Sequence, residues 1–400
     1  MDGIFVPADI LMPDKTDLTK WTVVACDQFS SQREYWDETE RIVGAEPSSL
    51  RLIIPEAYLR EGDTQRRVED TYRAMKSYTQ SGVFRTLKRS FVYVQRTQTD
   101  GRIRHGLVGA LDLEAYDYAA GAAAPVRASE HTVPSRLPVR VEIRRGAPLE
   151  CPHIMTLIDD PDRHIIEPLA DRCGGLEPLY DFDLLHGAGH LRGWRVDGAA
   201  ADEISAAVSS CPGDVKIIVG DGNHSLAAAK EYWNELKQKL TNEQAQSHPA
   251  RYALVELNNV YDEAIDFEAI HRVVFGADAG LVNDFATELG GGGYQVLCVT
   301  KDGARTVSVG ASCIGELIGR VDSFIERHMS QGGAVDYIHG EETARTLAAQ
   351  DGAVGFILPS MGKSDFFETV IKNGLFPKKS FSIGHAEDKR HYLECRSIRA

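Results

Sequence analysis

The segment Lys216-Ile217-Ile218-Val219-Gly220-Asp221-Gly222-Asn223-His224-Ser225 constrains this chain most, because it must switch secondary structure within a few residues. Its first half is a compact β-rich run, the mark of a buried strand. Directly after it, Leu226, Ala229, Trp233, Leu236 and Leu240 recur at steps of three and four and define one apolar helix face. A buried strand, Val215 to Gly220, therefore feeds a helix N-terminus through a glycine-containing turn. Such a terminus offers backbone N–H groups without intrahelical partners and a partial positive charge, so it favours a phosphate or carboxylate. Asp221 beside it could hold a magnesium ion or accept a proton. The plainer reading is that Asp221 or Asn223 caps the helix, Gly222 sets the turn and His224 packs on the strand. Four functional groups in five residues exceed what one cap requires. Asp221 and His224 are accordingly catalytic candidates, and Gly222, Asn223 and Ser225 ligand-binding ones.

The remaining pattern is also mixed α/β. Trp21 to Ala25 and Phe91 to Val94 read as strands, and Ser31 to Val43 and Pro55 to Tyr78 hold helical spacing. Asp100-Gly101 between two strand-like runs predicts a hairpin, with Gly106 to Leu113 as partner strand. Ile154 to Ile158 is a strand ending at the turn residues Asp159-Asp160-Pro161. Tyr252 to Asn258 and His271 to Phe275 alternate as strands. Helices follow near Leu281–Leu289, Ile314–His328 and Glu341–Gln350, with strands at Tyr294 to Thr300 and Val354 to Leu358. The run Gly290 to Gly293 lacks the Gly-Lys-Ser/Thr of a P-loop and reads as a helix stop and flexible turn.

Composition narrows the function. The formal charge is −15, from 44 Lys plus Arg against 59 Asp plus Glu, so nucleic acid is not an expected partner. No run reaches the roughly 18–20 apolar residues that span a bilayer, and the start has no basic, then apolar, signal pattern; a cytoplasmic location with no membrane partner is expected. Seven scattered cysteines without a C-x-x-C pair predict reduced thiols. There is no Gly-x-Ser-x-Gly elbow and no His-Glu-x-x-His zinc motif.

Val219-Gly220-Asp221-Gly222-Asn223-His224-Ser225 resembles a variant of the Asp-Gly-His-His-Arg signature of domain of unknown function 1015. The resemblance extends through Thr99 to Arg102, Gly106 to Gly109, Arg127 to Thr132, Ile270 to Val274 and Pro377 to Ser380. Two residues depart from the signature, Asn223 in place of His and Ser225 in place of Arg. The missing arginine removes a bidentate phosphate donor. The signature is similar in turn to the phosphate-gripping turn of the ParB/sulfiredoxin-like group, which includes free-serine kinases using ADP or pyrophosphate. The resemblance implies a ParB/sulfiredoxin-like core over residues 85–275, an N-terminal α/β segment over 1–84 and a C-terminal α/β segment with a basic tail over 276–400.

The implied function is a small-molecule phosphotransferase that uses Mg²⁺, held by Asp221, with ATP, ADP or pyrophosphate and a hydroxyl-bearing metabolite such as an amino acid. Glu130, among Arg127, Ser129, His131 and Thr132, is the candidate for receiving the acceptor's proton. Arg127, His271, Arg272, Lys378 and Lys379 are the candidate ligand-binding cations. Each has a plainer reading as a solvated loop, a surface pair or a solubilising tail. Arg136, Arg140, Arg144 and Arg145 add charge nearby, and His153, Asp159 and Asp160 could supply further ligands. A nucleotide- or phosphate-sensing regulatory protein, and a structural or partner-binding protein, are the alternatives; the sequence leaves the oligomeric state open.

Overall fold

A computed structural model describes residues 3–58, 62–132, 137–329 and 333–400; Arg136 lies outside them. Helices and strands are mixed throughout, as the pattern predicts. The chain divides into two units, one comprising residues 1–128, 132–265 and 385–400, the other 129–131 and 266–384. These units are interleaved along the chain, and within the first Ala8–Pro13 pairs with Phe84–Thr97 and Phe5–Val6 with Ile103–Asp112.

The first unit is organised by an 11-stranded sheet among the described residues. Its centre is the expected hairpin, Phe84–Thr97 with Ile103–Asp112, closed by Gly101 at a positive φ of 86°. Tyr252–Asn259 pairs antiparallel with Ile103–Asp112 and parallel with Met155–Ile158, and Ile217–Asp221 lies antiparallel to Met155–Ile158. Because side chains alternate, each strand buries two sets of residues. Phe91, Tyr93, Leu107, Val255 and Leu257 face a core completed by helices Gly198–Ser210 and Asn223–Lys237 through Ile204, Val208, Leu226, Ala229 and Trp233. Val92, Val94, Val108, Ala110 and Leu254 face a second core completed by Leu393, Cys395 and Ile398.

The second unit has a 6-stranded sheet among the described residues, with Phe267–Phe275 paired to Ala334–His339, Ala353–Ile357 and Phe381–Ile383. Helix Gly280–Leu289 stops at Gly290 as expected. The following glycines do not form a free turn; they enter the irregular start of strand Gly290–Thr300. A Cβ on Gly292 would stand 2.1 Å from the Gly310 backbone, so the run serves close strand approach.

Gly109 shows how tightly the first core is filled. A Cβ there would lie 2.4 Å from the Phe91 ring and 2.6 Å from that of Phe5, which stack on each other at 5.0 Å. Gly109→Ala should destabilise the protein by about 1–3 kcal/mol through overpacking, read as a lower midpoint in urea; an unchanged midpoint would show that the two rings yield at no cost.

Candidate functional site

Strand Ile217–Asp221 runs into helix Asn223–Lys237 through Gly222, whose φ of 81° is left-handed. Two facts require glycine there: the conformation, and the Ile154 backbone 3.1 Å from where a Cβ would sit. Gly222 is the N-cap residue, and its carbonyl accepts from the N–H groups of Ser225 and Leu226, each at 3.0 Å. Asn223 is buried, while His224 and Ser225 are half-buried.

The Asp221 carboxylate is held from two sides. Its Oδ1 accepts from the Gly222 N–H at 2.7 Å, and its Oδ2 lies 3.5 Å from Lys389 Nζ. Burial alone would raise its pKa, but Lys389, His153 and the Gly222 N–H prevail and hold it below the usual value. The Tyr392 hydroxyl takes the Cys26 N–H at 3.2 Å and lies 2.8 Å from His153 Nδ1. Burial holds the Tyr392 phenol well above its usual range.

His153, Tyr392 and Ser225 converge on the wall of a cleft of about 190 Å³. The rest of its lining is mainly apolar, including Leu52, Ile53, Met75, Ile143 and Leu149, with the ion pairs Arg140–Glu56 and Arg144–Glu150 among its polar members. A concave, apolar surface with a few converging polar groups is the usual form of a small-molecule site. Lys389, Tyr392, Cys26 and Glu56 carried no local signal in the sequence, because they stand far along the chain from the turn. His153 was flagged only by its neighbours.

The other sequence candidates are placed as follows. Arg127, in the short strand Val126–Arg127 paired to Ile217–Asp221, donates from Nε to the Ala124 carbonyl at 3.0 Å. Glu130 belongs to the second unit, bridged through its backbone to Phe376. In that unit Arg272 is fully buried, bonded to Asp322 at 2.7 and 3.0 Å and set over the Tyr337 ring. His271 is buried too and accepts the Leu358 N–H at 3.1 Å; burial lowers its pKa. Lys378 and Lys379 are exposed, with Lys379 Nζ 4.7 Å from the Tyr337 ring. In the first unit, Asp160 caps a turn by accepting the Ile165 N–H at 2.9 Å, and Arg144 and Arg145 pair with Glu150 and Glu235. Among the described residues no three His, Cys, Asp or Glu side chains are grouped to hold a metal, and no helix is long and apolar enough to cross a membrane.

The comparison with protein families decides kinship: the model described as "Protein of unknown function (DUF1015)" matches residues 7–347. The chain belongs to the DUF1015 family. No curated protein matches the sequence. Among solved structures, this DUF1015 chain is similar to a mutant free serine kinase in complex with ADP, at 11% identity and a TM-score of 0.38 over 74% of this chain and 93% of that one. It is also similar to SbnI with a C-terminal truncation from Staphylococcus aureus, at 11% identity and a TM-score of 0.36, covering 69% of this chain and 82% of that one. A conserved hypothetical protein from Pyrococcus furiosus matches at 11% identity and a TM-score of 0.34 over 72% and 94%. Likeness this slight carries no inference.

The held carboxylate of this DUF1015 member gives a pH test. A depressed folded-state pKa contributes stability above the unfolded value of about 3.9, and that contribution is lost as pH falls through the folded pKa. The unfolding free-energy difference between the wild type and Asp221→Asn should therefore be largest above about pH 5 and shrink below about pH 4. A difference independent of pH over that range would show that Lys389 does not stabilise the ionised form.

Proposed function

We propose that this protein is a small-molecule phosphotransferase that seats a nucleotide or pyrophosphate donor at the Asp221–Ser225 turn and a hydroxyl-bearing acceptor in the adjoining cleft. The observation that carries this reading is the convergence of the helix N-terminus, through Ser225, with His153 and Tyr392 on one cleft wall. Phosphoryl transfer asks mainly for positioning and for positive charge and donors around the transferred group. The helix terminus, Lys389 and the His153 imidazole are the groups this chain offers for that purpose.

A magnesium ion fits in one form only. Asp221 is a single carboxylate beside Lys389, so donor phosphates and water would have to complete the shell, as is common for Mg²⁺. Bound there, the ion would neutralise charge on the donor. The apolar lining favours an acceptor whose hydroxyl is carried on an apolar body.

The cleft also bears on which carboxylate receives the acceptor's proton. Among the described residues Glu56 lines the cleft with Ser225, and Glu130 does not. Glu56, in place of Glu130, is therefore the proposed proton acceptor, oriented by Arg140. Binding without turnover is the second reading, favoured by Lys389, which already neutralises Asp221.

Two measurements test this. ADP, ATP or pyrophosphate with Mg²⁺ should raise the melting temperature and slow hydrogen exchange over residues 220–228; absence of both effects for all three donors sinks the donor site. With a working donor and acceptor pair, Glu56→Gln should lower kcat by roughly 10²–10⁴-fold, the usual range for a lost general base, and Glu130→Gln should leave it near wild type. The reverse result would return the role to Glu130. Donor binding with no acceptor-dependent turnover would establish the sensing reading.

A further inference from the structure

Arg96 and Arg104 stand directly opposite each other on the central hairpin of the first unit, and they are only 2% and 3% exposed. Like charges at such positions repel, and burial removes the water that would screen them. The neighbouring carboxylates are largely engaged elsewhere. Glu256 pairs with Arg390 and lies 3.6 Å from Arg104 Nε, beyond hydrogen-bond reach. Glu394 accepts from Arg390 at 2.9 Å and from the Tyr180 hydroxyl at 2.8 Å. Asp388 accepts from the Thr99 N–H and hydroxyl at 2.9 and 3.0 Å.

Arg96 donates from Nη2 to the Glu387 carbonyl at 2.8 Å, and Arg104 from Nη1 to the Asp388 carbonyl at 2.9 Å. The Nε and Nη1 of Arg96 and the Nε of Arg104 and of Arg390 are buried without a hydrogen-bond partner. Native proteins seldom leave such donors unmatched, least of all on charged groups. All three arginines line one small cavity of about 20 Å³, together with Lys389, His391 and the two carboxylates Glu256 and Glu394, both of which are taken up by Arg390. One water needs roughly 10–15 Å³ on this measure, so the cavity suits a single small ion and excludes a nucleotide. Burial, then Arg104, pushes the Arg96 pKa down to about 9, and the neighbouring His391 is driven well below its usual range by burial, Arg96 and Arg104.

We propose that this cavity binds a small inorganic anion, a halide or a single oxyanion, between Arg96 and Arg104. The anion would accept from the orphaned N–H groups and offset the repulsion of the paired guanidinium groups. This site stands independently of phosphotransfer, since it lies on the hairpin and needs no donor at the turn.

The test starts from protein exchanged into gluconate, an anion too large to enter, at fixed ionic strength. Titration with chloride, and separately with inorganic phosphate, should give a saturable rise in melting temperature of about 1–4 °C in at least one arm. Arg96→Gln should abolish that rise, and in gluconate alone it should melt no lower than the wild type, because it removes one of two facing buried cations. A purely structural arginine would instead melt lower in every salt. Anomalous diffraction from crystals of the unaltered protein soaked in bromide locates the ion even where the variant fails to fold. A bromide peak between Arg96 and Arg104 supports the site. No saturable rise in either arm together with no bromide peak, or a rise that Arg96→Gln leaves intact, overturns it.

Discussion

A carboxylate in the middle of a sheet governs this structure. Glu256 lies on Tyr252–Asn259, flanked by paired strands on both sides, with 3% of its surface exposed. An isolated charge there would cost several kcal/mol, so it must be matched, and its main partner is Arg390, distant in sequence. Burial alone would raise the Glu256 pKa; Arg390, then Arg104, keep it below the usual range. Gly106 makes the space, since a Cβ on it would stand 2.5 Å from Glu256 Oε1.

This ion pair draws the C-terminal segment onto the sheet, and much else follows from that placement. Lys389, one residue before Arg390, comes to Asp221. Tyr392, two residues after it, reaches His153 and Cys26. Leu393, Cys395 and Ile398 then close the second core, and Arg396 bonds Glu150 at 2.8 Å. One electrostatic requirement in the sheet thus fixes the side chains around the turn. The apolar burial that accompanies it, at about 25 cal/mol per Å², supplies the stabilisation that the desolvated charges do not.

The same placement separates two kinds of basic residue in the tail. Lys378 and Lys379 stay exposed in the second unit, whereas Lys389, Arg390 and Arg396 are at least largely buried in the first. Charge density along a sequence cannot distinguish them, because burial of a cation depends on the carboxylate it meets. Arg272 makes the same point, since its guanidinium is taken up by Asp322.

What the sequence determined by itself is local. The period-two and period-three-to-four patterns place the hairpin at Asp100-Gly101, the strand before Asp221 and the helix from Asn223, because side-chain alternation and helical stripes are written in neighbouring residues. The requirement for glycine at 222 was legible for the same reason. The family kinship was legible too, in several short stretches in one order. Only the tertiary structure decided which strands pair, that residues 385–400 return to the first unit, and that His153, Tyr392, Ser225 and Glu56 share a cleft. Those outcomes rest on burial and charge matching between residues from tens to hundreds of positions apart, and no local pattern encodes a partner at such distances.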